Sequence, residues 1–226
     1  WSLITAICDL PEMNIIEALD IMAKKISYYK EQYGSQSIMY YEQYGNGSLL
    51  KSIGDIFCNF LGGVTKPIGG PCWSAGIEAQ KLNFGEVRSH SLEDMMNSRN
   101  IFVWGKNPAN TTIHTMQVIR KAQSNGSKII VIDPIYTETA KMADMYVRVN
   151  AGGDSALAFA IGKIIVEDAL YDKEYINSYV QGFQDYKKYV LTLNMNELVS
   201  KSGVSLETIK ELVRLYNQKY STILIG

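Results

Sequence analysis

The sequence predicts an α/β protein: a doubly wound, mainly parallel sheet with helices on both faces, together with part of a second α/β domain. Two observations lead to this fold class. Short apolar runs such as NIFVW (100–104) and KIIVI (128–132) alternate with longer segments of helical periodicity. The 226 residues are 46% hydrophobic and 20% charged, as in globular domains, and suffice for one large or two small domains.

The first part of the chain contains mostly helical patterns. Apolar residues recur at helical spacing over 17–32, and further helices are predicted at 49–61 and 75–84. The segment 36–41 (QSIMYY) is rich in residues that favour strands, and 64–74 (VTKPIGGPCWS) is a long loop rich in glycine and proline. Long loops in compact domains are often functional.

The second part alternates regularly between strands and helices. Strands are predicted at 100–104, 128–132, 146–149 and 222–225, with helices at 111–125, 154–168 and 205–220. The polar stretch at 88–91 (RSHS) marks a boundary, so we expect a partial α/β domain at 1–90 and a Rossmann-like domain at 91–226. Because the sequence opens at Trp1 and closes on a strand-like run, we expect it to be a piece of a longer protein.

Charge and cysteine content exclude several classes. The formal net charge is −1, which gives no electrostatic footprint for nucleic acid, and no apolar run is long enough for membrane insertion. Cys8, Cys58 and Cys72 are far apart with no CxxC spacing, so neither a zinc site nor a disulfide framework is indicated. Localisation is not indicated by this sequence.

Three loops follow the predicted strands of the second part, where open parallel sheets bind ligands. The loop 105–112 begins with Gly105, and Thr111 or Thr112 can cap the next helix, whose free N–H groups favour a phosphate. Asp133 ends the second strand, the position at which a Rossmann-like unit binds a ribose diol, although an Asp-Pro turn explains it equally well. Asp154 follows the third strand and is alternatively a helix N-cap.

Cys72 stands in the glycine- and proline-rich loop ahead of a helix. A cysteine at that position is expected to have a lowered pKa, suited to a nucleophile or to a ligand of a soft metal. The alternative is an inert, partly buried cysteine.

Taken in order, several segments resemble the molybdopterin oxidoreductases of the dimethyl sulfoxide reductase and formate dehydrogenase type. The segments are Glu17-Ala-Leu-Asp-Ile-Met-Ala23, Phe60-Leu-Gly-Gly63, Trp104-Gly-Lys-Asn-Pro108, Ile132-Asp-Pro134, Thr137-Glu-Thr-Ala140 and Gly152-Gly-Asp-Ser-Ala-Leu157. The resemblance covers nearly the whole chain.

The resemblance implies a bis-molybdopterin guanine dinucleotide cofactor carrying molybdenum or tungsten, and two-electron redox chemistry, often oxygen-atom transfer, of the kind used in anaerobic respiration. It implies Cys72 as the metal ligand, with Ser74 as the alternative, although Ser74 is also read as a helix N-cap. The implied cofactor-binding residues are Trp104, Gly105, Asn107, Asn110, Thr111, Ile132, Asp133, Pro134 and Asp154.

Two features depart from the family pattern. A [4Fe–4S] cluster module precedes this region in most members, and the segment 5–14 (TAICDLPEMN) differs from the usual approach to the first helix. We therefore expect the cluster in another part of the protein, a small-molecule redox substrate, an iron–sulfur electron-transfer subunit as partner, and no activity from this piece alone. The alternative function is a stand-alone α/β nucleotide-binding or interaction module without redox chemistry.

Overall fold

The computed structural model describes residues 14–42, 49–70 and 73–226, and the chain divides into two compact units between Val87 and Arg88. The predicted metal ligand Cys72 lies outside the described residues. Within the described ranges, no helix is both long and apolar enough to cross a lipid bilayer.

The first unit is mainly helical over its described residues, with α1 at Ile15–Tyr33, α2 at Ile53–Phe60 and α3 at Ser74–Phe84. Asn14 begins α1 through a capping box: its side chain accepts hydrogen bonds from the amides of Ile16 and Glu17, and the Glu17 carboxylate accepts one from the Asn14 amide. This exchange satisfies amides that have no partner inside the helix.

The strand-favouring segment 36–41 forms a 3₁₀ turn at Ser35–Ser37 and one parallel bridge between Met39 and Thr65. The Tyr40 amide donates to the Thr65 carbonyl at 2.9 Å, and the Thr65 amide donates to the Ile38 carbonyl at 3.0 Å. Strand propensity gives a ladder only where a partner strand runs alongside. The bridge fixes the start of the glycine- and proline-rich loop, and α3 follows its end.

The second unit contains a four-stranded parallel sheet in the order β3-β2-β1-β4. The predicted fold class, α/β with a parallel sheet and helices on both faces, is confirmed. The strands are β1 at Asn100–Trp104, β2 at Lys128–Ile132, β3 at Met145–Val147 and β4 at Ser221–Ile225. The helices are α4 at Pro108–Thr111, α5 at Ile113–Ser124, α6 at Asp154–Glu167, α7 at Lys173–Tyr179, α8 at Phe183–Thr192, α9 at Met195–Ser202 and α10 at Leu206–Tyr216.

The two faces of the sheet have separate cores, because successive side chains of a strand point to opposite faces. Ile101 and Val103 of β1 pack in one cluster with α5, whereas Phe102 packs in the other with residues of α6, α9 and α10. Helices on both faces explain why β1 and β2 are apolar at nearly every position.

The strand order places a topological switch point beside β1. From β1 the chain passes through α5 to β2 and on to β3, whereas from β3 it returns through α6–α10 to β4 on the opposite side of β1. Ligands of open α/β sheets bind outside the carboxyl ends of the strands at such a point. A ligand is therefore expected at the carboxyl ends of β1 and β4.

Candidate functional site

Two glycines meet at the carboxyl ends of β1 and β4. Gly105 has φ of +63°, a conformation that glycine adopts without strain, and its amide donates to the Ile132 carbonyl at 2.8 Å. The Gly226 amide donates to the Trp104 carbonyl at 3.0 Å, and a Cβ on Gly226 would lie 2.3 Å from the Gly105 carbonyl oxygen. Only glycine fits at 226. At Gly105 and Gly226, on the two sides of the switch point, the backbone therefore carries no side chain that would cover it.

Trp104 and Asp154 are joined across this edge. The indole Nε1 of Trp104 donates to Asp154 Oδ1 at 2.7 Å. The interpretation of Asp154 as a helix N-cap is wrong, because Gly153 holds that position and Asp154 is the first residue of α6. The indole also lines an apolar cavity of about 240 Å³ between the sheet and α6 and α10. Trp104 thus holds one oxygen of a carboxylate placed at a helix N-terminus, where negative charge is stabilised.

Asp133 is buried, with 8% of its surface exposed, and follows directly on Ile132 at the end of β2. Its Oδ1 accepts a hydrogen bond from the Ile135 amide at 2.8 Å, which closes a turn around Pro134. The Tyr146 hydroxyl donates to the Asp133 carbonyl at 2.9 Å, and burial raises the pKa of that phenol. Within the described residues nothing donates to Asp133 Oδ2.

The loop after β1 folds into the short helix α4. The Asn107 carbonyl accepts hydrogen bonds from the Asn110 and Thr111 amides and from the Thr111 hydroxyl, so the Thr111 side chain is used inside the loop. Thr112 occupies the N-cap position of α5, one of the two residues predicted to cap this helix, but its side chain makes no capping hydrogen bond. The Thr112 hydroxyl oxygen is buried without a hydrogen-bond partner among the described residues.

Sequence reasoning missed three residues of this edge: Lys106, Thr139 and Gly226. Lys106 lies beside Gly226, since its Cβ would be 2.8 Å from a Cβ placed there. Thr139 is fully buried, accepts from the Ala109 amide at 3.1 Å and donates to Asn107 Oδ1 at 2.7 Å. Lys106 and Thr139 stand inside the family segments 104–108 and 137–140 and could have been found there. Gly226 depends on a contact between distant segments.

In the first unit, the described residues include Ser74 and the flanks of the Cys72 loop. The expectation that Ser74 is an N-cap is wrong, because Trp73 occupies the cap and Ser74 is the first residue of α3, with no capping bond from a side chain. Ile68 in the same loop is fully exposed. Across the described residues, no three His, Cys, Asp or Glu side chains are grouped so as to hold a metal ion.

The carboxyl edge of the sheet therefore brings together Trp104, Gly105, Asn107, Asp133 and Asp154. Bare backbone, an amide and a lysine are groups that bind phosphate, and the two carboxylates accept hydrogen bonds from hydroxyl or N–H groups of a nucleoside. Contact between these residues and a cofactor stays a prediction.

Comparison with known proteins identifies the family of this chain. The sequence model of the family described as molybdopterin oxidoreductase matches residues 16–216. The chain is 36% identical over 200 residues to the probable oxidoreductase YyaE of Bacillus subtilis (strain 168). This alignment covers 88% of this chain and 30% of that protein. It is 32% identical over 216 residues to formate dehydrogenase H of Escherichia coli (strain K12), covering 92% of this chain and 30% of that enzyme.

A solved structure shares the fold. Acetylene hydratase from Pelobacter acetylenicus superimposes with a TM-score of 0.63 at 24% identity, over 94% of this chain and 29% of that one. The chain thus spans about 30% of the length of these relatives. Because the family match extends over most of the sequence, the chain belongs to the molybdopterin oxidoreductase family.

Proposed function

We propose that this chain is the part of a molybdenum or tungsten oxidoreductase that binds one molybdopterin guanine dinucleotide of a bis-dinucleotide cofactor. The full-length enzyme would catalyse two-electron redox reactions of a small molecule, often with oxygen-atom transfer. The observation that carries the proposal is the switch point of the sheet, where the glycine pair, Asn107 and two carboxylates share one edge. Family membership supports the pterin as the ligand.

The residues at this edge fit a phosphate-bearing cofactor. The buried Thr112 hydroxyl has no partner among the described residues, and burying a polar group in that state is unfavourable unless something bonds to it. At Gly105 and Gly226, the backbone carries no side chain and can approach a ligand closely. Lys106, whose Cβ lies beside Gly226, brings a cationic side chain to this loop.

Each residue has a distinct part in binding. Asn107 and Lys106 donate to phosphate oxygens, and Asp133 and Asp154 accept hydrogen bonds from the guanosine end, next to Ile132 and Pro134. Trp104 keeps the Asp154 carboxylate in place by its hydrogen bond of 2.7 Å. The bound metal would supply the two-electron redox chemistry, while this part of the chain holds and orients the dinucleotide.

Cys72 is proposed as the protein ligand of the metal, with Ser74 as the alternative. In the full-length protein, Cys72→Ser should leave the fold intact but change the electronic spectrum of the metal centre and lower the activity. If Cys72→Ser changes neither and Ser74→Ala abolishes activity, the ligand is Ser74. A [4Fe–4S] cluster elsewhere in the protein and an iron–sulfur partner subunit complete the proposal.

The proposal is tested by measuring the metal, pterin and GMP content of the purified full-length protein. We expect molybdenum or tungsten, two pterins and two equivalents of acid-released GMP per metal. Asp154→Asn should lower all three, because it weakens the acceptor held by Trp104. A protein without pterin or metal contradicts the proposal and favours a nucleotide-binding module without redox chemistry.

A further inference from the structure

We infer that Thr139 is a positioning residue for the cofactor: it fixes the Asn107 side chain so that the amide N–H₂ group is presented to a phosphate. The inference rests on the proposed function and concerns a residue that does not itself meet the ligand. Thr139 comes from the segment after β2, whereas Asn107 belongs to the loop after β1. One buried hydroxyl therefore connects two loops of the same sheet edge.

The hydrogen bonds determine which way the Asn107 amide is turned. The Thr139 oxygen accepts from the Ala109 amide at 3.1 Å and lies 2.7 Å from Asn107 Oδ1. A hydroxyl has one proton to donate, and here the Asn107 oxygen receives it. In the flipped amide, the nitrogen would face Thr139, and the hydroxyl proton would be left without this acceptor at a position with 0% exposure. Leaving a buried donor unpaired is unfavourable, so Asn107 Nδ2 faces away from Thr139.

The Asn107 amide N–H₂ is then open to a ligand. Its Nδ2 donates to no acceptor in the part of the chain that the structure describes, and the side chain is half-buried. The Asn107 carbonyl already accepts the bonds that form α4, so the backbone of this residue is fixed as well. A fixed donor loses little entropy on binding, and a hydrogen bond to a charged acceptor is stronger than one to a neutral acceptor.

The experiment compares four variants of the full-length protein: Thr139→Val, Thr139→Ser, Asn107→Ala and the double variant Thr139→Val/Asn107→Ala. Thr137→Val is the matched control, because the Thr137 hydroxyl accepts from the Ala140 amide in the same segment without a hydrogen bond to Asn107. Two quantities are measured: the rate at which pterin is lost from the holoprotein, and the Kd of the stripped protein for guanosine diphosphate. Urea unfolding of each apoprotein reports any structural loss separately.

We expect Thr139→Val to raise the pterin loss rate and the Kd by about tenfold, the effect of losing one hydrogen bond to a charged group. Thr139→Ser should restore both values, and Thr137→Val should bind normally despite a loss of apoprotein stability. In the Asn107→Ala background, Thr139→Val should add nothing, since two residues that act through one bond are not additive.

Two outcomes overturn the inference: effects of Thr139→Val and Asn107→Ala that multiply, or a Thr137→Val protein that binds as poorly as Thr139→Val. A failure of the proposed function gives a different result from a failure of the inference about Thr139. If the wild-type protein contains no pterin, the proposed function is wrong. The diphosphate Kd then decides about Thr139: tenfold weaker binding that vanishes in the Asn107→Ala background supports its role, and an unchanged Kd contradicts it.

Discussion

The two oxygens of the Asp133 carboxylate have different roles. Oδ1 accepts from the Ile135 amide and closes the turn after β2, whereas Oδ2 has no donor among the described residues. The strand-ending turn and the nucleoside-binding role, which the sequence left as alternatives, are therefore compatible in one side chain. Substitutions that affect only one oxygen can separate them.

Asp133→Asn is expected to separate the two roles. An asparagine oxygen still accepts from the Ile135 amide, so the free energy of unfolding of the apoprotein should change by less than about 0.5 kcal/mol. Asp133→Ala leaves that amide without its acceptor and should lose about 0.5–1.5 kcal/mol. Both should reduce the pterin content of the full-length protein, because both remove the charge. Urea denaturation and pterin analysis measure the two effects; normal pterin in Asp133→Asn would show that the carboxylate is only structural.

At the level of elements, the positions of the strands could be predicted from the sequence, but their order in the sheet could not. The runs 100–104 and 128–132 match β1 and β2 because short apolar segments between helices leave little choice. The order β3-β2-β1-β4 depends on how α6–α10 pack across the sheet, which involves residues far apart in sequence. The pairing of Gly105 with Gly226 follows from that order, so no local pattern pointed to it.

The start of α6 is held by a close backbone approach at Gly153. A Cβ there would lie 2.8 Å from the Lys201 carbonyl and 3.0 Å from Ser202 Cα, at the end of α9. Both neighbours are backbone atoms, so neither can move without displacing a helix. The position of Asp154, the next residue, depends on this contact.

Gly153→Ala should lower the free energy of unfolding by about 1–3 kcal/mol, the range for overpacking. It should also lower pterin retention, because α6 must shift and carry Asp154 away from Trp104. Gly152→Asn is the control: Gly152 has φ of +77° and open space around it, and asparagine tolerates that conformation. Equal losses in the two variants, by urea denaturation, would mean that the α6–α9 contact has no special role.

At the scale of the whole molecule, the two units differ in how much core they contain. The second unit buries two apolar clusters, one on each face of its sheet. In the described residues of the first unit, Cys58 is the one hydrophobic side chain that is buried. Helix α1 has no buried residue, and Phe60 is 86% exposed. The amphipathic pattern of the sequence predicted where these helices lie, but periodicity does not show which surface covers an apolar face.

We therefore expect the units to differ when each is produced alone. A protein of residues 88–226 should unfold in one cooperative transition, since its sheet is covered on both faces by its own helices. A protein of residues 1–87 should show no such transition, because the described residues of this unit bury too little apolar surface to offset chain entropy. Thermal unfolding followed by circular dichroism distinguishes them. Leu157→Ala in the 88–226 protein should lower its stability by about 2–5 kcal/mol, which identifies the core that melts. Cooperative unfolding of 1–87 would contradict the expectation and show that its exposed helices find a core of their own.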